Sequence, residues 1–182
     1  SESGVVTVSG GKLTTYREMA QDTVDEVCSM LGTKSRCRTK SLSLHGAKGK
    51  RPRATQSDRH LDGRFGSDSS AIKALIASDA SLGNELVPGL PYLRAEAVFA
   101  VTNEMAESID DVLTRRTRAR LLDRRACVAA ATSTADIIAP LLGWDQSQRS
   151  ASIAEFLDEC AREDAAAMVT EQEFIDSNKG TK

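Results

Sequence analysis

Beyond residue 54 the chain is patterned for helices almost throughout: apolar residues recur at steps of three and four, and clusters of glycine and proline separate one run from the next. A helical bundle satisfies that pattern. Only 4% of residues are aromatic against 40% hydrophobic, so an Ala/Leu/Ile core between helices is expected, and the fold class is mainly α. A weak helix covers Thr55 to Leu61 and is stopped by Gly63 and Gly66. Ser67 or Asp68 caps a second over Ser70 to Ser78, with Ile72, Leu75 and Ile76 inward. Leu82 to Pro91 is a loop. Tyr92 to Glu107 turns Tyr92 or Leu93, Ala97, Ala100 or Val101, and Met105 inward, and Glu96, Asn103, Glu104 and Glu107 outward. A short helix begins near Ile109 with Asp110 and Asp111 at its positive end. Leu121 to Leu142 is the longest apolar-rich helix, bent or ended by Pro140 and closed by Gly143, with Trp144 packed back on the bundle. The last runs from Gln146 to Val169 with Ile153, Phe156, Leu157, Cys160 and Ala161 on one face. The domain spans residues 55–175, and the polar run 176–182 frays.

Residues 1–45 read differently. Val5, Val6 and Val8 suit a buried strand, Gly10 and Gly11 break it, and an amphipathic helix follows from Leu13 to Leu31, capped by Thr14 or Thr15. This is a strand–turn–helix corner with Lys12 in the turn. Two residues without Cβ bare their backbone N–H groups beside the positive end of a helix, a setting for an anionic or electron-rich ligand. A phosphate-binding G-x-x-x-x-G-K-[ST] loop fits poorly, because Val6 stands at the first glycine and Leu13 at the hydroxyl position. By spacing alone, a structural turn and a ligand contact both remain open. Ser41 to His45 alternates as a short extended segment and is one candidate to pair with Val5–Ser9, a second copy of the chain being the other. G-A-K-G-K-R-P-R, within 46–54, is a linker.

Charge and cysteines remove several classes. A net charge of −2 and pI of 5.8 argue against a general nucleic-acid binder. Cys28, Cys37, Cys127 and Cys160 form no C-x-x-C pair, and His45 and His60 lie at no ligand spacing from them, so no metal site is expected. Reduced thiols point to a cytosolic setting. No apolar run approaches the length of a membrane span. Arg115, Arg116, Arg118 and Arg120 interleave with acids, which favours ion pairs with Glu96, Glu104, Asp110 or Asp111 over a phosphate patch.

The segment S-G-G-K-L-T-T-Y-R-E-M-A resembles the stretch that closes the flavin-binding domain of FAD-dependent glycerol-3-phosphate dehydrogenases. Tyr92 to Arg118, Y-L-R-A-E-A-V-F-A-V-T-N-E-M-A-E-S-I-D-D-V-L-T-R-R-T-R, is similar to the signature of their helical C-terminal domain, followed in order by L-G-W-D at Leu142 to Asp145. The dinucleotide fingerprint of such enzymes is absent, so the chain resembles a C-terminal portion. The resemblance implies a parent enzyme that oxidises sn-glycerol 3-phosphate to dihydroxyacetone phosphate, with FAD accepting the hydride and quinone the electrons. It implies that Gly10, Gly11, Lys12, Leu13 and Thr14 contact the cofactor and that Lys12 faces flavin and substrate phosphate as the catalytic residue. The helical domain, carrying no catalytic set of its own, is expected to cover the parent's flavin and substrate domains or to make a homodimer contact near Ile109 to Arg125. Peripheral attachment to the inner membrane face would come from the parent. The alternative is a helical protein- or nucleic-acid-binding module.

Overall fold

The computed structural model describes residues 3–47 and 56–167, with side chains from residue 59 in the second segment. They fall into two compact units, residues 1–50 and 51–182. Most of the 46–54 linker and the 176–182 tail lie outside the described residues.

In the first unit a 3-10 turn, Leu13–Thr15, leads directly into helix α1, Tyr16–Met30. The step-of-three-and-four pattern makes the helix, and Gly32 at φ 65° releases the chain beyond it. The expected side-chain cap does not form. Thr15 instead donates its hydroxyl backward to the Lys12 carbonyl at 2.9 Å. The expected strand is also absent: no strand forms among the described residues, and Val5 and Val8 are 62% and 52% exposed. Extended backbone becomes a strand only when a neighbour supplies its ladder. Ser41 to His45 forms no strand either, and its flanks turn locally, Ser41 bonding back to Arg38 and Ala47 to Leu44.

The second unit is an all-helical bundle. Its helices are α2 (Gln56–Phe65), α3 (Ser69–Ser78), α4 (Arg94–Glu104), a π-helical segment (Asp111–Arg116), α5 (Ala119–Leu122), α6 (Arg124–Leu142) and α7 (Gln146–Ala167). Helix α2 runs through Gly63; Gly66, at φ 57°, makes the break. The 82–91 loop is strapped by a single antiparallel bridge, Glu85 to Leu93, in which Leu86 donates to Tyr92 and Arg94 to Asn84. The expected Leu121–Leu142 helix is interrupted at Asp123, whose carboxylate accepts from the Ala126 N–H and starts α6 afresh. Pro140 sits in the last turn of α6, and Gly143 at φ 67° ends it.

Helix α4 stands between two apolar clusters. Ala97 and Ala100 face the larger one, built with Val112, Leu113, Ala131, Ala135, Ile138, Phe156 and Cys160. Leu93, Ala95 and Phe99 face the smaller, with Leu61 and Ile72. Covered on two sides, the helix exposes polar residues only toward its end, at Thr102 and Asn103, and this corrects two expectations. Glu96 is 2% exposed, while Met105, at φ 57° just past the helix end, points outward at 82%. Ala161 is exposed as well; Phe156 and Cys160 carry the inner face of α7. By length and composition α6 is apolar enough to cross a membrane, contrary to the sequence reading. Cys127, Ala130, Ala131, Ala135 and Ile138 place that apolarity in the core.

Candidate functional site

The glycine turn lies wholly within the first unit. Gly10 and Gly11 take φ of 80° and 98°, a region that favours glycine. A Cβ on Gly11 would fall 2.1 Å from the Met19 sulfur, whereas one on Gly10 would meet nothing within 4 Å. Lys12 is extended, at φ −85° and ψ 150°, and its carbonyl receives the Thr15 N–H and hydroxyl, both at 2.9 Å. That pair of bonds turns the chain into the helix. The first N–H groups of a helical run have no acceptor one turn earlier, so the helix itself leaves the Leu13 and Thr14 donors unused.

Gly10, Gly11, Lys12 and Leu13 line one open concavity of about 670 Å³, whose other wall is the Tyr16, Met19, Ala20, Thr23 and Val24 side of α1. Thr14 is exposed but does not line it. Among the described residues of this unit none is buried, and Leu13 is 89% exposed. The concavity is therefore an uncovered apolar helix face with a cation and backbone donors at its rim. It can seat a flat apolar group and hold negative charge at one edge.

The second unit brings its charges together for a different purpose. Glu96 Oε1 accepts from the Leu93 N–H at 2.9 Å, which caps α4, and bonds His60 Nε2 at 2.9 Å; Arg64 Nε lies 3.3 Å from Oε2. Arg64 also donates to the Arg116 carbonyl, and its guanidinium lies 5.3 Å from the Tyr92 ring. The buried carboxylate ties α2 to α4, and Arg64 carries the tie on to the π-helical segment. Burial pushes the neighbouring Glu104 carboxyl up, against the pull of Arg116 and Arg64.

Of the arginine run, Arg115 pairs with Asp110 at 2.6 Å and Asp111 at 2.9 Å, as the interleaved charges suggest. Arg116 departs from that pattern, donating to the Glu104 carbonyl at 2.9 and 2.6 Å and so closing the end of α4. Arg120, its side chain 4% exposed, joins Asp110 at 2.7 Å to Glu159 and Glu163 on α7. Arg118 is exposed at φ 61°. Burial, helped by the nearby Cys160, pushes the Cys127 thiol up to about 11, so it is no nucleophile. No group of metal-ligating residues assembles among the described residues.

Sequence reasoning missed Glu96, His60 and Arg64 as a unit. The available signal was a carboxylate three residues after the helix-starting Leu93, the spacing at which a side chain reaches back to the cap N–H. It also missed Glu159, Glu163 and Asp164 as partners of Arg120 and Arg124, which depend on how α7 folds back.

What an open glycine turn and a charge-stapled bundle in one chain belong to is given by comparison. Residues 37–149 match the family described as the C-terminal domain of alpha-glycerophosphate oxidase. The probable mitochondrial glycerol-3-phosphate dehydrogenase of Dictyostelium discoideum is 35% identical over 82% of this chain and 25% of its own length. Glycerol-3-phosphate dehydrogenase 2 of Mycobacterium tuberculosis is 32% identical over 85% of this chain and 29% of its own. No solved structure matches. The chain belongs to the alpha-glycerophosphate oxidase C-terminal domain family. It spans little more than a quarter of the length of these relatives.

Proposed function

We propose that this chain is the C-terminal part of a flavin-dependent glycerol-3-phosphate dehydrogenase, in which the first unit completes the flavin-binding domain and the second is a supporting helical domain. One observation carries the reading. A fifteen-residue amphipathic helix has no buried residue, yet begins on a glycine turn that bares its backbone. Such a helix finds its stability in a larger core.

The turn fits FAD on local grounds: its backbone is open at Gly10, positive φ at Gly10 and Gly11 exposes the peptide edge, and apolar wall and cation adjoin. When bound, FAD supplies the two-electron acceptor for oxidation of the substrate's secondary alcohol. The chain's own residues would do four things. Gly10, open where a Cβ would stand, admits the ring system to close backbone contact, and Gly11, backed by Met19, continues the bare peptide edge. The Leu13 and Thr14 N–H groups, at the positive end of the helical run, hold negative charge. Lys12 reaches from the rim to bind the substrate phosphate and orient the alcohol. Tyr16 and Met19 keep water from the apolar side. Electrons would leave to a quinone, and the enzyme would be cytoplasmic, with any membrane contact peripheral and made elsewhere in the parent. Arg115, Arg116 and Arg120, already engaged within the second unit, speak for a structural role of that run over nucleic-acid binding.

The test is steady-state oxidation of glycerol 3-phosphate by the longer protein that carries this chain, with a soluble quinone analogue as acceptor. Turnover is expected. Bound flavin with no turnover would reject the substrate assignment.

A further inference from the structure

Two side chains reach back from the start of α1 into the glycine turn. Thr15 and Met19 stand one helical turn apart, and Gly11 precedes Thr15 by the same step. The Met19 sulfur fills the place that a Gly11 side chain would need, and Thr15 Oγ1 lies 3.5 Å from that point. Oγ1 and the sulfur are 3.7 Å apart. Both residues are partly buried, although Leu13 and Thr14 beside them are exposed.

From this seat the Thr15 hydroxyl donates to the Lys12 carbonyl at 2.9 Å, next to the bond from the Thr15 N–H at 2.9 Å. The backbone bond would form with almost any residue at position 15. The second bond needs a hydroxyl. A threonine that merely capped the helix would accept from an N–H further along, and Thr15 makes no such bond. Its hydroxyl acts on the turn instead. With both lone pairs of its oxygen engaged, the peptide after Lys12 is held in one plane. The lysine stem is long and flexible, so the direction in which it leaves that plane governs what the ammonium reaches.

We infer that Thr15 is a positioning residue for Lys12: its hydroxyl fixes the Lys12 peptide and thereby the line along which the ammonium approaches the substrate phosphate. Met19 backs the same turn from the helix side. The inference rests on the reading of this turn as the flavin and substrate site, and adds to it a residue that touches neither flavin nor substrate.

The test uses the longer protein loaded with FAD. Thr15→Val keeps the shape and the backbone bond but loses the hydroxyl, whereas Thr15→Ser restores it. Thr15→Val should lower kcat for glycerol 3-phosphate about tenfold at equal FAD content, the scale of one lost hydrogen bond, and Thr15→Ser should recover most of that loss. Because Thr15 acts through Lys12, the same change made on Lys12→Ala should cost nothing further; a residue that only stiffened the helix start would cost the same in both backgrounds. Hydrogen exchange over Lys12 to Tyr16 should quicken in Thr15→Val and not in Thr15→Ser. Wild-type turnover in Thr15→Val, or an equal loss on Lys12→Ala, overturns the inference. A wild type that does not oxidise glycerol 3-phosphate rejects the functional reading instead. Exchange then decides: an unchanged rate in Thr15→Val overturns the inference, and a quickened one keeps Thr15 as the residue that sets the Lys12 turn.

Discussion

Glu96 ties the start of α4 to α2 from inside the core. Its two oxygens meet a cap N–H, a histidine and an arginine in a place that water does not reach. Removing one member of a buried ionic group strands the others, which costs about 3–5 kcal/mol. Glu96→Ala should therefore lower stability by about 3 kcal/mol in urea titrations; a loss under about 1 kcal/mol would show that Arg64 and His60 find other partners. Glu104 makes the opposite prediction. Burial raises its carboxyl above the ordinary value, so the native state holds that proton more tightly than the unfolded chain does. Its contribution to stability is complete below the unfolded value and is lost as pH rises through the folded one. Glu104→Gln, neutral throughout, should gain stability relative to the wild type as pH climbs from acid to neutral. A constant difference in urea midpoint across that range would contradict the assignment.

At the scale of elements, the ends are set by single residues and the partners by long-range charge. Gly143 at φ 67° stops α6 and lets Trp144 donate to the Ala139 carbonyl at 3.0 Å. Gly143→Ala should cost about 1 kcal/mol through a strained left-handed residue. Arg120 fastens α7 to the π-helical segment through Asp110, Glu159 and Glu163. Arg120→Ala should free α7, raising amide hydrogen exchange there while α3 keeps its protection. Helices α3, α6 and α7 are legible in the sequence because each shows one apolar face: Ile72 with Leu75 and Ile76, or Phe156 with Cys160. Helix α4 is legible in position but not in orientation. Ala95 and Ala97 are buried on opposite sides, and a two-sided helix gives no periodicity from which to read Glu96 or Met105. The break at Asp123 is hidden because apolar residues continue through it.

For the whole molecule, the two units differ in kind. The second has its own core; the first presents Val5, Val8, Leu13, Tyr16, Val24 and Leu31 to solvent. That is why the sequence misleads about the strand: three β-branched residues record a preference, but a strand exists only with neighbours, and none of the described residues pairs with Val5–Ser9 as a strand. Taken alone, the chain should lose its first unit to trypsin early, at Lys12, Arg17 or Arg38, while a helical unit persists; even cleavage throughout would contradict this. The central claim, that Lys12 stands at a flavin and binds substrate, is tested most directly by anaerobic flavin bleaching. Glycerol 3-phosphate is mixed with the longer protein and with its Lys12→Ala variant, both loaded with FAD. The account expects rapid bleaching in the wild type and a rate about 100-fold lower in the variant at equal FAD content, the scale on which a lost orienting contact misplaces the reacting alcohol. Equal bleaching rates would remove Lys12 from the site, and a wild type that glycerol 3-phosphate leaves oxidised would contradict the account as a whole.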